Sequence, residues 1–213
     1  MATRITPSII EEFSHTKNNI ELLDKYGLLY IDLDLSELDK QLYYRRLFSE
    51  KFTFSSSIIS RNERNHNLSH FFEDQKLLEK WSLFKKIREV VESLNFRVVL
   101  EKAHANLHNF SSESSHHVDF TSPSTVYYAN PEWNPEWGGE TWLMDDNHEV
   151  IDSVRFSPAR LVIFNGNRPH YARPCTHYAK GLNRLVLASR FKFIDEQGNE
   201  QYQYPEKEFK FVN

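Results

Sequence analysis

The chain has 213 residues, which is enough to fill one hydrophobic core, so we expect a single domain over residues 1–213. Its 26 lysines and arginines against 30 aspartates and glutamates give a net charge of −4. They form no basic stripe of the kind that favours nucleic-acid binding. Cys175 is the only cysteine, which excludes an internal disulfide and a multi-cysteine zinc site and fits a cytoplasmic location. No segment resembles a signal peptide or a transmembrane helix, so we expect neither export nor membrane insertion.

The first half of the chain is expected to be largely helical. Tyr26–Leu33 has the apolar composition of a strand, and Ser36 stands where an N-cap would begin a helix through QLYYRRLF. Ser55–His70 is polar and aperiodic, which is typical of a long surface loop. Apolar residues at spacings of three and four predict one amphipathic helix over Glu73–Leu94.

From Phe96 onward, short apolar runs alternate with turn residues, which is the pattern of β-strands. The predicted strands are FRVVLEKAHANLH, STVYYAN, ETWLM, SVRF, ARLVIFN and LNRLVLASRFKF. Helices followed by a run of strands are typical of a β-sandwich or barrel that helices buttress. We therefore expect a mainly β fold, with a helical N-terminal part over about 1–95, a β core over about 96–194 and a polar tail over 195–213.

His117 and Asp119 stand one residue apart, directly before the strand STVYYAN. In extended backbone, residues i and i+2 point to the same side, so these two side chains converge. His116 points to the opposite side. A converging imidazole and carboxylate can share a proton or bind a metal.

A second histidine and an arginine extend this pattern along the chain. His170 follows the apolar strand ARLVIFN, which favours it over the rivals His148 and His177, the latter in a polar turn. Arg184 opens the strand RLVLASRF. An H-x-D pair, a distant histidine and an arginine on a third strand are the sequence form of the two-His-one-carboxylate triad of non-haem Fe(II) oxygenases. Three protein ligands on one face leave metal positions open for 2-oxoglutarate and dioxygen.

Six motifs follow one another between about Arg97 and Phe193. They are His117-Val-Asp119, Tyr127-Tyr-Ala-Asn130, Trp137-Gly-Gly-Glu-Thr141, Leu161-Val-Ile-Phe164, His170 and Arg184. In this order they resemble the Fe(II)/2-oxoglutarate dioxygenase superfamily, and in particular its prolyl 4-hydroxylase-like branch. The resemblance implies a double-stranded β-helix (jelly roll) with the metal site at its mouth.

The resemblance also implies the chemistry of the site. Fe(II) is expected on His117, Asp119 and His170, and the remote carboxylate of 2-oxoglutarate on Arg184 and the hydroxyl of Tyr128. The reaction it implies is hydroxylation of an unactivated C–H bond by dioxygen, coupled to oxidative decarboxylation of 2-oxoglutarate to succinate and CO2. Because halogenating relatives lack the carboxylate that Asp119 supplies, hydroxylation is favoured. A role for ascorbate is left open.

Three arginines compete for the carboxylate of 2-oxoglutarate. Arg173 lies in a polar turn and is expected to face solvent. Arg184 and Arg190 share one face of their strand, but six residues separate them by about 20 Å. We therefore expect that Arg190 does not reach the co-substrate, and the family pattern selects Arg184.

The substrate is open between several classes. A peptide or protein side chain fits the prolyl hydroxylase likeness, and a free amino acid or other small molecule is the alternative on the same fold. A metal-binding cupin with a different reaction and a non-catalytic jelly-roll binding module are the further readings. The polar segment Ser55–His70, with Arg61 and Arg64, is a candidate specificity lid. The oligomeric state is open.

Several residues near the motifs receive no functional assignment. One face of the strand before the H-x-D pair carries His104, Asn106 and His108. For the two histidines, two roles stay open: lining the barrel, or orienting 2-oxoglutarate or the substrate. For Trp133 and Trp137, packing of a long turn is favoured over walling a substrate cleft. The following glycine pair, 138–139, is expected to form a tight turn or bulge.

Overall fold

The computed structural model describes residues 1–16, 18–54, 68–110, 112, 116–194 and 200–201. Its α-helices are α1 (Pro7–His15), α2 (Asn19–Tyr26), α3 (Glu37–Phe48), α4 (Gln75–Leu78) and α5 (Ser82–Ser93). Its strands are β1 (Thr3–Arg4), β2 (Leu29–Asp32), β3 (Thr53–Phe54), β4 (Leu68–Phe71), β5 (Val98–His108), β6 (Ser124–Tyr128), β7 (Thr141–Met144), β8 (Val150–Val154), β9 (Arg160–Phe164), β10 (His170–Ala172), β11 (Arg184–Ile194) and β12 (Glu200–Gln201). Short 3-10 helices cover Pro135–Trp137 and His177–Ala179.

The strands form two sheets. The large sheet has the order β1-β2-β9-β6-β11-β5-β4-β3, and β12 pairs with β11. The small sheet has the order β10-β7-β8. Within the described residues only β1 and β2 pair in parallel, and the remaining ladders are antiparallel. The expected mainly β fold with flanking helices is confirmed.

The large sheet is covered on both faces, and the period of two along its strands decides which side chain goes where. Tyr127, Leu185 and Leu187 lie in the main core, which the helices cover. Their neighbours Tyr128 and Val186 point the other way, into a smaller core shared with the small sheet. The mouth of the space between the two sheets carries the polar side chains.

Two sequence-based boundaries near the N-terminus can be compared with the structure. Ser36 caps α3 as predicted, since its hydroxyl accepts a hydrogen bond from Asp39 N at 3.1 Å. The strand predicted over Tyr26–Leu33 is shorter, because α2 runs to Tyr26 and ends at Gly27. The backbone N–H of Gly27 donates to the carbonyl of Leu23, and its φ of 70° is one that glycine adopts without strain.

The single helix predicted over Glu73–Leu94 is wrong: the segment forms α4 and α5. Trp81 separates them with an extended backbone, φ −68° and ψ 135°. Its indole packs edge-on against Phe72 and beneath the guanidinium of Arg46, so tertiary contacts hold the break. The apolar spacing continued across the break, although Leu77 is exposed rather than part of a buried stripe.

Other differences lie at strand ends and edges. Of the predicted loop Ser55–His70, positions 55–67 lie outside the described residues, and the remainder belongs to β4, which pairs with β5. The strand predicted at SVRF lies earlier, over Val150–Val154. The strand β10, beginning at His170, was not predicted. Most of the C-terminal tail lies outside the described residues.

No helix within the described ranges has the length and apolar character needed to cross a bilayer.

Candidate metal and co-substrate site

Three side chains converge at the mouth between the sheets. His117, Asp119 and His170 each offer a ligand atom, and these atoms lie within 4.8 Å of one another. Asp119 Oδ1 lies 3.7 Å from His117 Nε2, and Asp119 Oδ2 lies 3.5 Å from His170 Nε2. Among the described residues this is the one such group that could hold a metal ion. The three residues that the sequence motifs pointed to as metal ligands therefore lie together in the structure.

The fold joins these residues through the backbone. His117 and His170 form an isolated antiparallel bridge, with two N–H···O bonds of 3.0 Å each. Asp119 N donates to the carbonyl of Gly166 at 2.7 Å, and Ser124 Oγ donates to Asp119 Oδ2 at 2.6 Å. His170 Nδ1 faces the carbonyl of Arg168 at 2.9 Å. Because a carbonyl can only accept, Nδ1 carries the proton and Nε2 presents its lone pair to the centre.

Gly166 has a role that the sequence analysis missed. A methyl group at this position would lie 2.2 Å from Ser124 Oγ, 2.4 Å from the carbonyl oxygen of Thr121 and 3.1 Å from Asp119 Cβ. Glycine is therefore required by close approach beneath the carboxylate. The turn NGNRP between β9 and His170 was the available signal.

The protonation states suit metal binding. Burial alone would raise the pKa of Asp119, but His170, Arg190 and His117 and the Ser124 hydrogen bond outweigh it and hold this pKa at about 2. Burial lowers the pKa of His170 to about 4, against the opposing attraction of Asp119. At neutral pH the site thus presents an ionised carboxylate beside a neutral His170 imidazole, the forms that ligate a divalent metal.

Arg184 lies in the same cavity and is 2% exposed. Its Nε donates to the carbonyl of Gly139 at 2.8 Å, and its guanidinium lies 5.5 Å from the ring centres of both Tyr128 and Phe156. No carboxylate of the described residues lies within 4.0 Å of it. A buried cation without a counter-ion is costly, so this position favours an anionic ligand.

Tyr128 does not line the cavity in this structure. Its hydroxyl donates to Thr141 Oγ1 at 2.8 Å, and its ring stacks on Phe156 with centres 4.2 Å apart. Thr141 does line the cavity. Because the tyrosine hydroxyl supplies a hydrogen to Thr141 Oγ1, the threonine hydroxyl keeps its own hydrogen for an acceptor in the cavity. Thr141 was not singled out from the sequence.

Arg190 also lies at the site, although the prediction that it does not reach the co-substrate stays a prediction. Arg190 lines the same cavity as Arg184, and its Nη2 lies 2.5 Å from Asp119 Oδ1. The distance along β11 was estimated correctly, but the triad lies near the Arg190 end. Arg190 pairs with Ser124 across β6 and β11, and the chain from Asp119 folds back beside that pair. Arg173 lies outside the cavity and pairs with Glu140 at 3.0 Å.

The remaining histidines fall into two groups. His116, His148 and His177 are not part of the triad: the first two contact each other with ring centres 4.4 Å apart, and the third contacts Tyr178. His104 and His108 line the cavity. Burial lowers the pKa of His104 to about 3 and that of His108 well below its usual value. Both are therefore neutral at pH 7, and His104 Nδ1 and His108 Nε2 have no hydrogen-bond partner within the described chain.

Trp133 has the packing role that the sequence analysis favoured for it. Its ring contacts Phe156 and Trp137, with centres 4.5 and 5.3 Å away, and its Nε1 donates to the carbonyl of Gly138. Gly138 and Gly139 both have positive φ, 74° and 82°, as a tight turn requires. A methyl group on Gly139 would lie 3.0 Å from Arg184 Cδ, so this turn also walls the buried arginine.

Comparisons with known proteins identify the fold. No protein-family model and no curated protein sequence matches the chain. A prolyl hydroxylase from Trichoplax adhaerens, solved with a hypoxia inducible factor peptide, superposes with a TM-score of 0.57 and 18% identity over 86% of this chain and 90% of that one. A prolyl-4-hydroxylase from Pseudomonas putida superposes with a TM-score of 0.58 and 16% identity over 86% of this chain and 97% of that one. The non-heme α-ketoglutarate-dependent epimerase SnoN from nogalamycin biosynthesis superposes with a TM-score of 0.58 and 16% identity over 87% of this chain and 83% of that one.

The chain thus has the jelly-roll fold of the Fe(II)/2-oxoglutarate-dependent oxygenases, as the motif order predicted. At these identities the likeness defines the fold, and the activity has to be argued from the cavity.

Proposed function

We propose that the protein is a non-haem Fe(II)- and 2-oxoglutarate-dependent dioxygenase that hydroxylates an unactivated C–H bond. One observation carries this proposal: the triad of His117, Asp119 and His170 and the buried, counter-ion-free Arg184 line a single cavity. A triad alone would fit several metals. A metal centre together with a buried cation fits a chelating dianion such as 2-oxoglutarate.

The donor set fits Fe(II). Two imidazole nitrogens and one carboxylate oxygen on one side of a metal form the facial triad of non-haem Fe(II) oxygenases. The exposure is graded: the side chain of His117 is 38% exposed, while Asp119 and His170 are each 7% exposed. Asp119 and His170 are therefore buried, and the site opens towards solvent at His117, where ligands would enter.

The far end of the cavity fits the remote carboxylate of 2-oxoglutarate. Arg184 offers a planar fork that can bind a carboxylate through two hydrogen bonds, and the Thr141 hydroxyl is a further donor. Tyr128 would act through Thr141 rather than by contact, because its hydroxyl is engaged there. Bound in this way, Fe(II), 2-oxoglutarate and dioxygen would supply the oxidation, yielding succinate, CO2 and a hydroxylated substrate.

The protein's own contribution is placement and control of charge. Ser124 donates a hydrogen bond to Asp119, and His170 is oriented through its Nδ1. Such contacts fix ligand geometry before a metal arrives. Val126, Phe164 and Val186 give the cavity an apolar wall, which limits water beside the reacting groups.

The substrate class is part of the proposal. A peptide or protein side chain is the first candidate, and structures with this fold include one solved with a peptide and one epimerase from nogalamycin biosynthesis. A small-molecule or free amino-acid substrate is the second, and the charge of the cavity favours it, as developed below.

The decisive experiment measures Fe(II)-, dioxygen- and 2-oxoglutarate-dependent succinate release, together with calorimetric binding of 2-oxoglutarate to the anaerobic Fe(II) protein. We expect saturable 2-oxoglutarate binding that requires the metal and is lost in His170→Ala. Mass spectrometry for a 16-dalton gain, on candidate peptides and on a metabolite extract, identifies the substrate. Absence of metal-dependent 2-oxoglutarate binding would refute the proposal and favour a non-catalytic binding module.

A further inference from the structure

A second cation in the cavity has no task in the reaction as proposed. Arg190 contacts Asp119 through Nη2, and its side chain is 22% exposed. Its Nε is buried and has no hydrogen-bond partner among the described residues. Guanidinium groups carry five N–H donors, so Arg190 retains a donor for a further acceptor.

The strand β11 places the two arginines at separate ends of the cavity. Its inward side chains alternate as Arg184, Val186, Ala188 and Arg190, all of which line the cavity. Arg184 lies at the Gly139 and Thr141 end, and Arg190 lies at the triad. A single 2-oxoglutarate molecule that chelates a metal and reaches Arg184 would leave Arg190 to another ligand.

The charges of the cavity point to the nature of that ligand. The arginine and carboxylate side chains that line it are Arg184, Arg190 and Asp119. These three side chains carry a net charge of +1. The charges of a divalent metal and of the dianion 2-oxoglutarate cancel each other, so one positive charge remains in excess. That excess lies at Arg190, because Asp119 would be shared with the metal and Arg184 would be paired.

We propose that Arg190 binds a carboxylate on the molecule that is oxidised, so that the substrate is a small carboxylic acid. This inference rests on the proposed function and names its substrate class. Since Arg190 touches a proposed metal ligand, the carboxylate it holds lies beside the metal, and the reacting carbon lies within a few bonds of that carboxylate. An internal residue of a peptide has no backbone charge at that position. Arginine binds carboxylate and phosphate in the same bidentate way, so phosphate-bearing probes distinguish the two anions.

The alternative role for Arg190 is to position Asp119 as a metal ligand. The two roles make opposite predictions for metal affinity. If Arg190 positions Asp119, removing it should weaken metal binding, as loss of other groups that orient ligands does. If Arg190 is a substrate anchor, removing a positive charge beside the site should leave metal binding equal or tighter.

The test uses the 213-residue chain loaded with Fe(II) and 2-oxoglutarate under anaerobic conditions. The probes are two- to six-carbon amino and hydroxy acids, each paired with its primary amide and with a phosphate-bearing analogue. Calorimetry measures the affinity of each probe for the unaltered protein, Arg190→Gln and Arg190→Lys, and separately the affinities for Fe(II) and for 2-oxoglutarate.

We expect one or more carboxylic acids to bind while their amides do not. Arg190→Gln should weaken acid binding about 10- to 150-fold, the range for hydrogen bonds to charged groups. It should change 2-oxoglutarate affinity less than about twofold and should not weaken Fe(II) binding. Arg190→Lys keeps the charge but loses the planar guanidinium, so its affinity for the acid should lie between those of the unaltered protein and Arg190→Gln.

Three results would overturn the inference while leaving the proposed function intact. The first is that acids bind no better than their amides, which includes no acid binding at all. The second is preferential binding of the phosphate analogues, and the third is a tenfold loss of Fe(II) affinity in Arg190→Gln. Failure of the unaltered protein to bind 2-oxoglutarate would overturn the proposed function and this inference with it.

Discussion

Replacement of Arg184 by methionine tests the proposed co-substrate site directly. Methionine keeps much of the side-chain volume and removes the guanidinium, so packing against Tyr128 and Phe156 is largely retained. Hydrogen bonds to charged groups contribute roughly 1.5–3 kcal/mol, so 2-oxoglutarate should bind about 10- to 150-fold more weakly. Fe(II) affinity should be unchanged, because the triad does not include Arg184.

The same variant should change stability in an opposite sense with and without ligand. The ligand-free variant should be at least as stable as the unaltered protein, because a buried cation without a counter-ion has been removed. At a 2-oxoglutarate concentration 100 times the dissociation constant, binding stabilises the unaltered metal-loaded protein by about 2.7 kcal/mol, and a site 100-fold weaker retains about 0.4 kcal/mol. Chemical denaturation with and without 2-oxoglutarate measures both quantities.

A matched control is Arg173→Met, an arginine outside the cavity that pairs with Glu140. It should bind 2-oxoglutarate within about threefold of the unaltered protein, since Arg173 does not line the cavity. The assignment of Arg184 would be refuted if Arg184→Met bound 2-oxoglutarate normally while Arg190→Gln lost it.

Three further predictions concern the triad, its support and the cavity wall. His170→Ala should weaken Fe(II) binding more than about 100-fold, whereas His177→Ala should not; equilibrium dialysis distinguishes them, and the reverse order would reassign the ligand. Gly166→Ala should cost roughly 1–3 kcal/mol of unfolding free energy through overpacking and weaken Fe(II) binding; Gly181→Ala, which has a φ of 89° and nothing within 4 Å, should lower stability through backbone strain but leave metal affinity unchanged, and an equal loss of metal affinity would remove Gly166 from the site. The pKa of His104 is lowered to about 3 by burial, so the unfolded chain binds more protons below pH 6.5 and stability falls as pH falls. Between pH 7 and pH 5 this residue should account for roughly 2 kcal/mol, so urea unfolding of His104→Gln should show a smaller loss; an identical loss would contradict the neutral, buried assignment.

The sequence predicted those parts of the site that depend on strand periodicity. Arg184 and Val186 point into the cavity while Leu185 and Leu187 point into the helix-covered core, as a period of two requires. His170 was preferred because it follows an apolar strand, and the structure places it opposite His117. Such inferences need only the local backbone direction, which composition and alternation reveal.

The missed features depend on contacts between segments that are distant in the chain. Arg190 meets Asp119 because the chain between Asp119 and Ser124 turns back on itself, and no local pattern encodes that path. The contact between the Tyr128 hydroxyl and Thr141 was not foreseen, because it depends on how the two sheets stack; the role of Tyr128 in binding 2-oxoglutarate stays a prediction. The break at Trp81 likewise follows from packing, because the apolar spacing continues through it.

The pairing of Arg190 with Asp119 connects metal binding to substrate binding. Asp119 is held by Arg190 and Ser124, so a metal that binds Asp119 competes with a cation already in contact with it. Metal binding would weaken the attraction of Asp119 for Arg190 and free that guanidinium for the substrate carboxylate. Linkage is reciprocal, so the carboxylic acid should in turn tighten Fe(II) binding. The cavity would then bind its anionic substrate well only once the metal that oxidises it is present.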